Sequence, residues 1–165
     1  LLKEKGYNTL SFHANNGDFW NRNNLHKSLG YNTFYSKNSY NVTEENSIGL
    51  GLSDKEFFKQ AVPKIKEISD IYDNFYGTLI MLTNHTPWTE IEGNTDYSVD
   101  YKYINEQGIE VSAPYLEGTT MGDYLKSVNY ADEAIGQLIN DLDEAAIKCN
   151  KKEISFSSIC FFHKG

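Results

Sequence analysis

Two short stretches gather residue types able to handle an anion. His13-Ala14-Asn15-Asn16-Gly17-Asp18-Phe19-Trp20-Asn21-Arg22 and Thr83-Asn84-His85-Thr86-Pro87-Trp88 each combine a histidine, amide side chains and a tryptophan. Arg22 offers planar, permanently charged donors that match two phosphate oxygens. His13 and His85 can donate hydrogen bonds or change charge near neutral pH. Trp20 supplies a rigid wall for the carbon skeleton of a small polyol, and Gly17 is expected to let its loop turn tightly. A histidine following a strand is more often structural or solvated than functional. The pattern therefore points to an anion or phosphate site without specifying the anion.

The flanking sequence must place these stretches side by side. Leu1 to Gly6 reads as the last turn of a helix stopped by glycine, followed by a strand over Tyr7 to His13. Asn15 to Asn24 is a polar loop, and Leu25 to Leu29 a short helix ended by Gly30. Tyr31 to Leu52 lacks a sustained period and is read as loop with a short strand, Gly49 to Leu52 being a flexible turn. Ser53 and Glu56 have the spacing of a capping box. Phe57, Phe58, Ala61, Ile65 and Ile68 then share one helical face, which Pro63 is expected to kink or split. Phe75 to Thr83 is an apolar run suited to a strand buried on both faces.

Trp88 to Pro114 is tyrosine-rich and polar, an excursion or surface hairpin. Asp123 to Ala145 carries Leu125, Val128, Ala131, Ile135, Leu138 and Leu142 at helical spacing. Its acids, Asp132, Glu133, Asp141, Asp143 and Glu144, read as a solvated face. Ile154 to Phe162 is expected to form a further strand. Alternation of helices and strands predicts an α/β fold with a mainly parallel sheet flanked by helices. Open sheets of this kind bind ligands beyond the carboxyl ends of their strands, where both polar stretches fall.

The chain has 165 residues, 39% hydrophobic and 23% charged, which fits one folded domain spanning residues 1–165. A net charge of -8 argues against nucleic acid as a partner. Cys149 and Cys160 are expected to be free thiols and lack metal-ligand spacing; His26 and His163 have no evident partners. No G-x-S-x-G elbow, Walker A pattern, G-x-G-x-x-G or H-E-x-x-H occurs. No apolar run approaches the ~20 residues of a membrane span.

The stretch SFHANNGDFWNRNNLHKSLGYNTFY (residues 11–35) resembles the "H-x-x-x-G-x-F-W-N-R" region of lipoteichoic acid synthases and related phosphoglycerol transferases. GLGLSDKEFFKQAVPKI (49–65) is similar to their "G-L-x-D-x-x-F-F" segment, and LIMLTNHTPW (79–88) to their "T-x-x-N-H-x-P" strand and loop. YLKSVNYADEAIGQLINDLDEA (124–145) looks like the helix before their second metal-binding segment. The matches keep family order over residues 1 to about 150.

The resemblance implies a partial alkaline phosphatase/sulfatase-like catalytic domain on the extracellular face of a bacterial cell membrane. Transmembrane helices preceding this chain would hold it there. It implies transfer of glycerol phosphate from phosphatidylglycerol to a polyglycerolphosphate acceptor through a threonine activated by Mn2+ or Mg2+. His13, Asn15, Trp20, Arg22 and His85 match family positions lining the glycerolphosphate pocket, though Asn15 stands where the staphylococcal type has an acid. The family's threonine and acidic metal ligand lie upstream of its histidine loop. Its "Y-G-D-H" metal motif has no counterpart in the tail ISFSSICFFHKG. This chain alone is accordingly expected to bind no metal and to be inactive. Another sulfatase-superfamily hydrolase, a phosphoethanolamine transferase or a truncated inactive product remain the alternatives at this point.

Overall fold

Strand β1 (Asn8–Phe12) lies at the centre of a parallel three-stranded sheet, between β2 (Thr33–Tyr35) and β5 (Phe75–Leu79). Leu10 stands opposite Thr33 on one side and Gly77 on the other. This computed structural model of the full chain describes residues 1–91, 93–113, 116–145 and 147. The expected strand over 154–162, both cysteines and His163 lie outside the described residues.

A 3-10 turn over Lys3–Lys5 leads in and is closed by Gly6 at φ 79°. The polar loop after β1 tightens into a second 3-10 turn (Phe19–Asn21) that runs directly into α1 (Arg22–Ser28). The helix expected from Leu25 therefore starts at Arg22, while Gly30, at φ 92°, follows its end as anticipated. Two very short antiparallel strands, β3 (Ser47–Ile48) and β4 (Gly51–Leu52), turn back through Gly49 at φ 60°. Helix α2 (Asp54–Ile71) and helix α3 (Thr120–Glu144) pack together against the sheet. Between β5 and α3, β6 (Tyr101–Ile104) and β7 (Glu110–Ala113) pair as the expected hairpin.

Leu10 and Phe12 of β1 are fully buried against Leu52, Phe57, Phe58, Ala61, Val62 and Ile65 from the α2 side and Ala134 and Leu138 from α3. On the opposite pleat, Thr9 and Ser11 are buried too. Thr9 Oγ1 donates at 3.0 Å to Gly30 O, and Tyr31 and Thr78 join their hydroxyls at 2.8 Å across β1. β1 is thus the strand covered on both faces.

Four further sequence expectations change. The strand expected over 75–83 to be doubly buried ends at Leu79 and, among the described residues, stands at an edge of the sheet, with Tyr76 43% exposed. Its apolar residues beyond Leu79 serve a loop, where Leu82 packs beside Gly51. Pro63 does not split α2, which runs unbroken through it. Ser53 takes the N-cap position without a side-chain capping bond, and Glu56 pairs with Lys59 at 3.1 Å instead of closing a box. On α3, Val128 is exposed; Ser127, Tyr130, Ala131, Ala134 and Leu138 are buried, rotating the inner face slightly from the expected stripe.

Candidate functional site

Parallel pairing brings the carboxyl ends of β1, β2 and β5 to one edge of the sheet. His13 N donates to Tyr35 O and Ile80 N to Phe12 O, so the first residues beyond the strands remain laced together. Both polar stretches leave from this edge.

His13 is 2% exposed, and its Nδ1 lies 3.0 Å from Ile80 O. A carbonyl accepts only, so Nδ1 carries the proton. Burial holds the His13 pKa down to about 4; the Ile80 hydrogen bond opposes the shift, while Arg22 and His26 add to it. At neutral pH the ring is uncharged and Nε2 presents a lone pair. That atom is buried with no hydrogen-bond partner among the described residues.

Arg22 opens α1, and its Nε is also buried and unpartnered. Burial lowers its pKa, but the ordinary value is so high that the guanidinium stays charged. Its Cζ lies 5.9 Å from the centre of the Trp20 ring. Trp20 is 61% exposed, stacks on Phe19 at 5.6 Å and sits at φ 56°, with Asn21 following at φ 55°. Two consecutive left-handed residues other than glycine are costly and recur where function fixes the backbone. They turn the chain sharply enough to start α1 at Arg22.

Asn15 spends its side-chain oxygen on Asn16 N at 2.7 Å, and its carbonyl accepts Lys37 N at 2.9 Å. The Asn15 Nδ2 donors remain for a ligand. Gly17 allows a close approach rather than an unusual φ: a Cβ there would stand 2.4 Å from Asn23 Oδ1.

His85 belongs to the second loop. Its ring is exposed, and Nδ1 donates to Thr86 O at 2.6 Å, ahead of a cis Thr86-Pro87 bond. The loop is anchored on both sides. Asp54, fully buried, accepts Leu82 N at 2.8 Å and Thr83 N at 3.2 Å. Burial raises the Asp54 pKa, while these hydrogen bonds oppose the rise. Ser127 Oγ on α3 donates to Asn84 Oδ1 at 2.6 Å, and Trp88 packs edge-on against Tyr124 at 5.0 Å.

The structure therefore groups His13, Trp20 and Arg22, with Asn15 on the same loop, whereas His85, on the adjoining loop, lines a cavity with Ile48, Leu50, Thr86 and Trp88. Sequence reasoning passed over His26, which is 5% exposed and stacks on Phe34 at 4.2 Å. Its i, i+4 spacing from Arg22 carried no signal while the helix was expected to begin at Leu25; the structure puts both residues on α1. Asp54 and Thr83 were missed as anchors because nothing local pairs residues 29 apart. Among the described residues no three His, Cys, Asp or Glu side chains gather to hold a metal ion. Arg22, a permanent cation with a buried Nε–H, suits an anion.

Residues 1–150 match the protein family described as Sulfatase. The chain is 30% identical over 150 residues to lipoteichoic acid synthase 1 of Bacillus subtilis (strain 168), covering 91% of this chain and 21% of that protein. It is 33% identical over 142 residues to lipoteichoic acid synthase 2 of the same organism, covering 86% of this chain and 19% of that one. The chain thus spans about a fifth of the length of the curated relatives it matches. Among solved structures, the lipoteichoic acid synthase LtaP from Listeria monocytogenes superposes with a TM-score of 0.73 at 27% identity, covering 88% of this chain and 32% of that one. The Streptococcus pyogenes phosphoglycerol transferase GacH, in complex with sn-glycerol-1-phosphate, shares the fold with a TM-score of 0.55 at 16% identity, covering 86% of this chain and 34% of that one.

Proposed function

Since the chain belongs to the sulfatase family, we propose that it forms the glycerolphosphate-binding wall of a phosphoglycerol transferase that extends a polyglycerolphosphate, or lipoteichoic acid, chain. The observation that carries this reading is a buried, unpartnered lone pair on His13 Nε2 close enough to Arg22 to feel its charge. A permanent cation suits a phosphoryl group. A buried acceptor beside it calls for a hydroxyl donor, which inorganic sulfate lacks and glycerol phosphate has.

In this reading Arg22 and His85 hold the phosphoryl oxygens. His13 Nε2 accepts from a glycerol hydroxyl, Asn15 Nδ2 donates to another, and Trp20 covers the carbon skeleton. A threonine outside this chain attacks the phosphorus of phosphatidylglycerol; the bond to the diacylglycerol oxygen breaks, and diacylglycerol leaves with a proton. A terminal hydroxyl of the growing chain then attacks the same phosphorus and frees the threonine. Mn2+ or Mg2+ would stabilise phosphoryl charge and favour deprotonation of the threonine, held by residues other than those described here. The complete protein would act at the outer face of a bacterial membrane, anchored by other segments. No helix among the described residues is long and apolar enough to cross one.

The test is manganese-dependent release of fluorescent diacylglycerol from labelled phosphatidylglycerol by a complete protein carrying this segment. Release lost in both Arg22→Ala and His85→Ala supports the reading. A folded, metal-loaded protein that releases none refutes it.

A further inference from the structure

We propose that His26 is the positioning residue for Arg22, accepting its Nε–H so that the two terminal guanidinium nitrogens fork onto the phosphoryl oxygens. The inference rests on the glycerolphosphate reading above and adds a residue which that reading leaves out.

Packing alone does not explain an imidazole at this position. The ring is 5% exposed, stacks on Phe34 at 4.2 Å with 15° between planes, and meets Tyr31 at 5.5 Å. A phenylalanine would fill that place without burying polar atoms. Instead both ring nitrogens are buried, and neither has a hydrogen-bond partner among the described residues. Removing polar groups from water without replacing their hydrogen bonds is costly, so their retention asks for a use.

The complementary group stands one turn away. Arg22 precedes His26 by four residues on α1, which puts the two side chains on one face of the helix. Arg22 Nε is likewise buried and unpartnered. It can only donate. His26, flanked by the charged Arg22 on its own helix, His13 at the end of β1 and Tyr31 before β2, is held towards its neutral form by burial and by Arg22. A neutral imidazole always carries one nitrogen that accepts. An orphan donor and an orphan acceptor thus lie within a helical turn of each other. The bond is not made in this structure; it closes when an anion draws the guanidinium into place. His26 then fixes the plane of the fork without touching the ligand.

A double-mutant cycle tests this, with sn-glycerol 1-phosphate titrated into a complete protein carrying this segment and binding followed by ligand-observed NMR. His26→Phe is expected to weaken binding about tenfold, the scale of one hydrogen bond to a charged group. His26→Gln, which keeps an acceptor, should restore most of it. Lysine has no Nε–H at that place, so in an Arg22→Lys background His26→Phe should cost nothing further. A matching urea midpoint for His26→Phe and wild type separates this effect from misfolding; a lowered midpoint moves the comparison to His26→Gln against His26→Leu. Equal loss in both backgrounds would mean that His26 touches the ligand itself, and would overturn the positioning role, as would undiminished binding by His26→Phe. Absence of binding by the folded, metal-loaded wild-type protein would instead remove the glycerolphosphate reading, and this inference with it.

Discussion

Asp54 and Thr83 bond each other in both directions. Asp54 N donates to Thr83 Oγ1 at 2.9 Å, and Thr83 N donates to Asp54 Oδ2 at 3.2 Å. The same carboxylate takes Leu82 N at 2.8 Å. The first turn of α2 is thereby fastened to the loop that carries His85, in a place closed to water. Asp54→Ala leaves two buried N–H groups without acceptors and is expected to cost about 3 kcal/mol. Thr83→Val keeps the shape, orphans only Asp54 N, and should cost about 1–2 kcal/mol. Urea unfolding of the three proteins gives both figures. A loss below about 1 kcal/mol for Asp54→Ala would show that the loop is held by something else.

His13 makes stability depend on pH in a definite direction. Its pKa is held down to about 4 in the fold, against an ordinary 6.5. As pH falls below 6.5 the unfolded chain takes up the proton first, so stability present above that value drains away towards pH 4. The full loss from this group is at most about 3 kcal/mol. Burial lowers the His26 pKa as well, and Arg22 adds to that, so His26 acts in the same direction. Asp54, whose pKa burial raises, acts oppositely. Comparing His13→Gln with wild type at pH about 7.5 and about 4.5 isolates the His13 contribution. The wild type should lose more than the variant on acidification; parallel losses would refute the assigned burial and tautomer.

The backbone at Trp20 offers a test that does not depend on side-chain contacts. Trp20→Ala and Trp20→Gly remove the same ring, yet only glycine is at ease at φ 56°. Glycine is expected to be the more stable of the two by about 1 kcal/mol. Within an ordinary helix the order is the reverse. Denaturant midpoints decide it, and an alanine variant as stable as the glycine one would mean that the left-handed turn is not held in solution.

Much of this arrangement was legible because it follows from local pattern. The apolar spacing of Phe57, Phe58, Ala61 and Ile65 specifies α2, and the loops beginning at His13 and Thr83 announce themselves by composition. Which strand is central was not legible. Phe75 to Leu82 is more apolar than β1, but burial follows position in the sheet, and Asn8–Phe12 has neighbours on both sides. The polar Thr9 and Ser11 disguise β1 as a half-exposed strand, since the groups that cover and bond Thr9, Gly30 and Asn32, lie more than twenty residues away. Ser53 and Glu56 spelled a capping box that tertiary contact displaced: Asn46 O takes the Ser53 N–H at 3.0 Å that Glu56 would have accepted. His26 looked idle for a related reason. The groups beside it come from another strand and from the preceding helical turn.

Gly17 and Gly122 separate two kinds of tight approach. Neither has a left-handed φ, so what matters is what a new methyl group would meet. At Gly17 a Cβ would stand 2.4 Å from Asn23 Oδ1, the end of an exposed side chain that donates to Asp18 Oδ1. Asn23 can swing aside, giving up one solvent-facing hydrogen bond. Gly17→Ala is therefore expected to cost under about 1 kcal/mol. At Gly122 a Cβ would fall 2.1 Å from Leu116 O. That carbonyl also accepts Thr119 Oγ1 at 2.7 Å, while Thr119 caps α3 by accepting Gly122 N at 3.1 Å. Backbone and cap would have to move together, so Gly122→Ala should cost about 2–3 kcal/mol: the overpacking penalty plus a lost cap. Thermal and urea unfolding of the two variants should rank them in that order. Equal costs would mean that the start of α3 yields as easily as a surface side chain, and that Thr119 is not what fixes it.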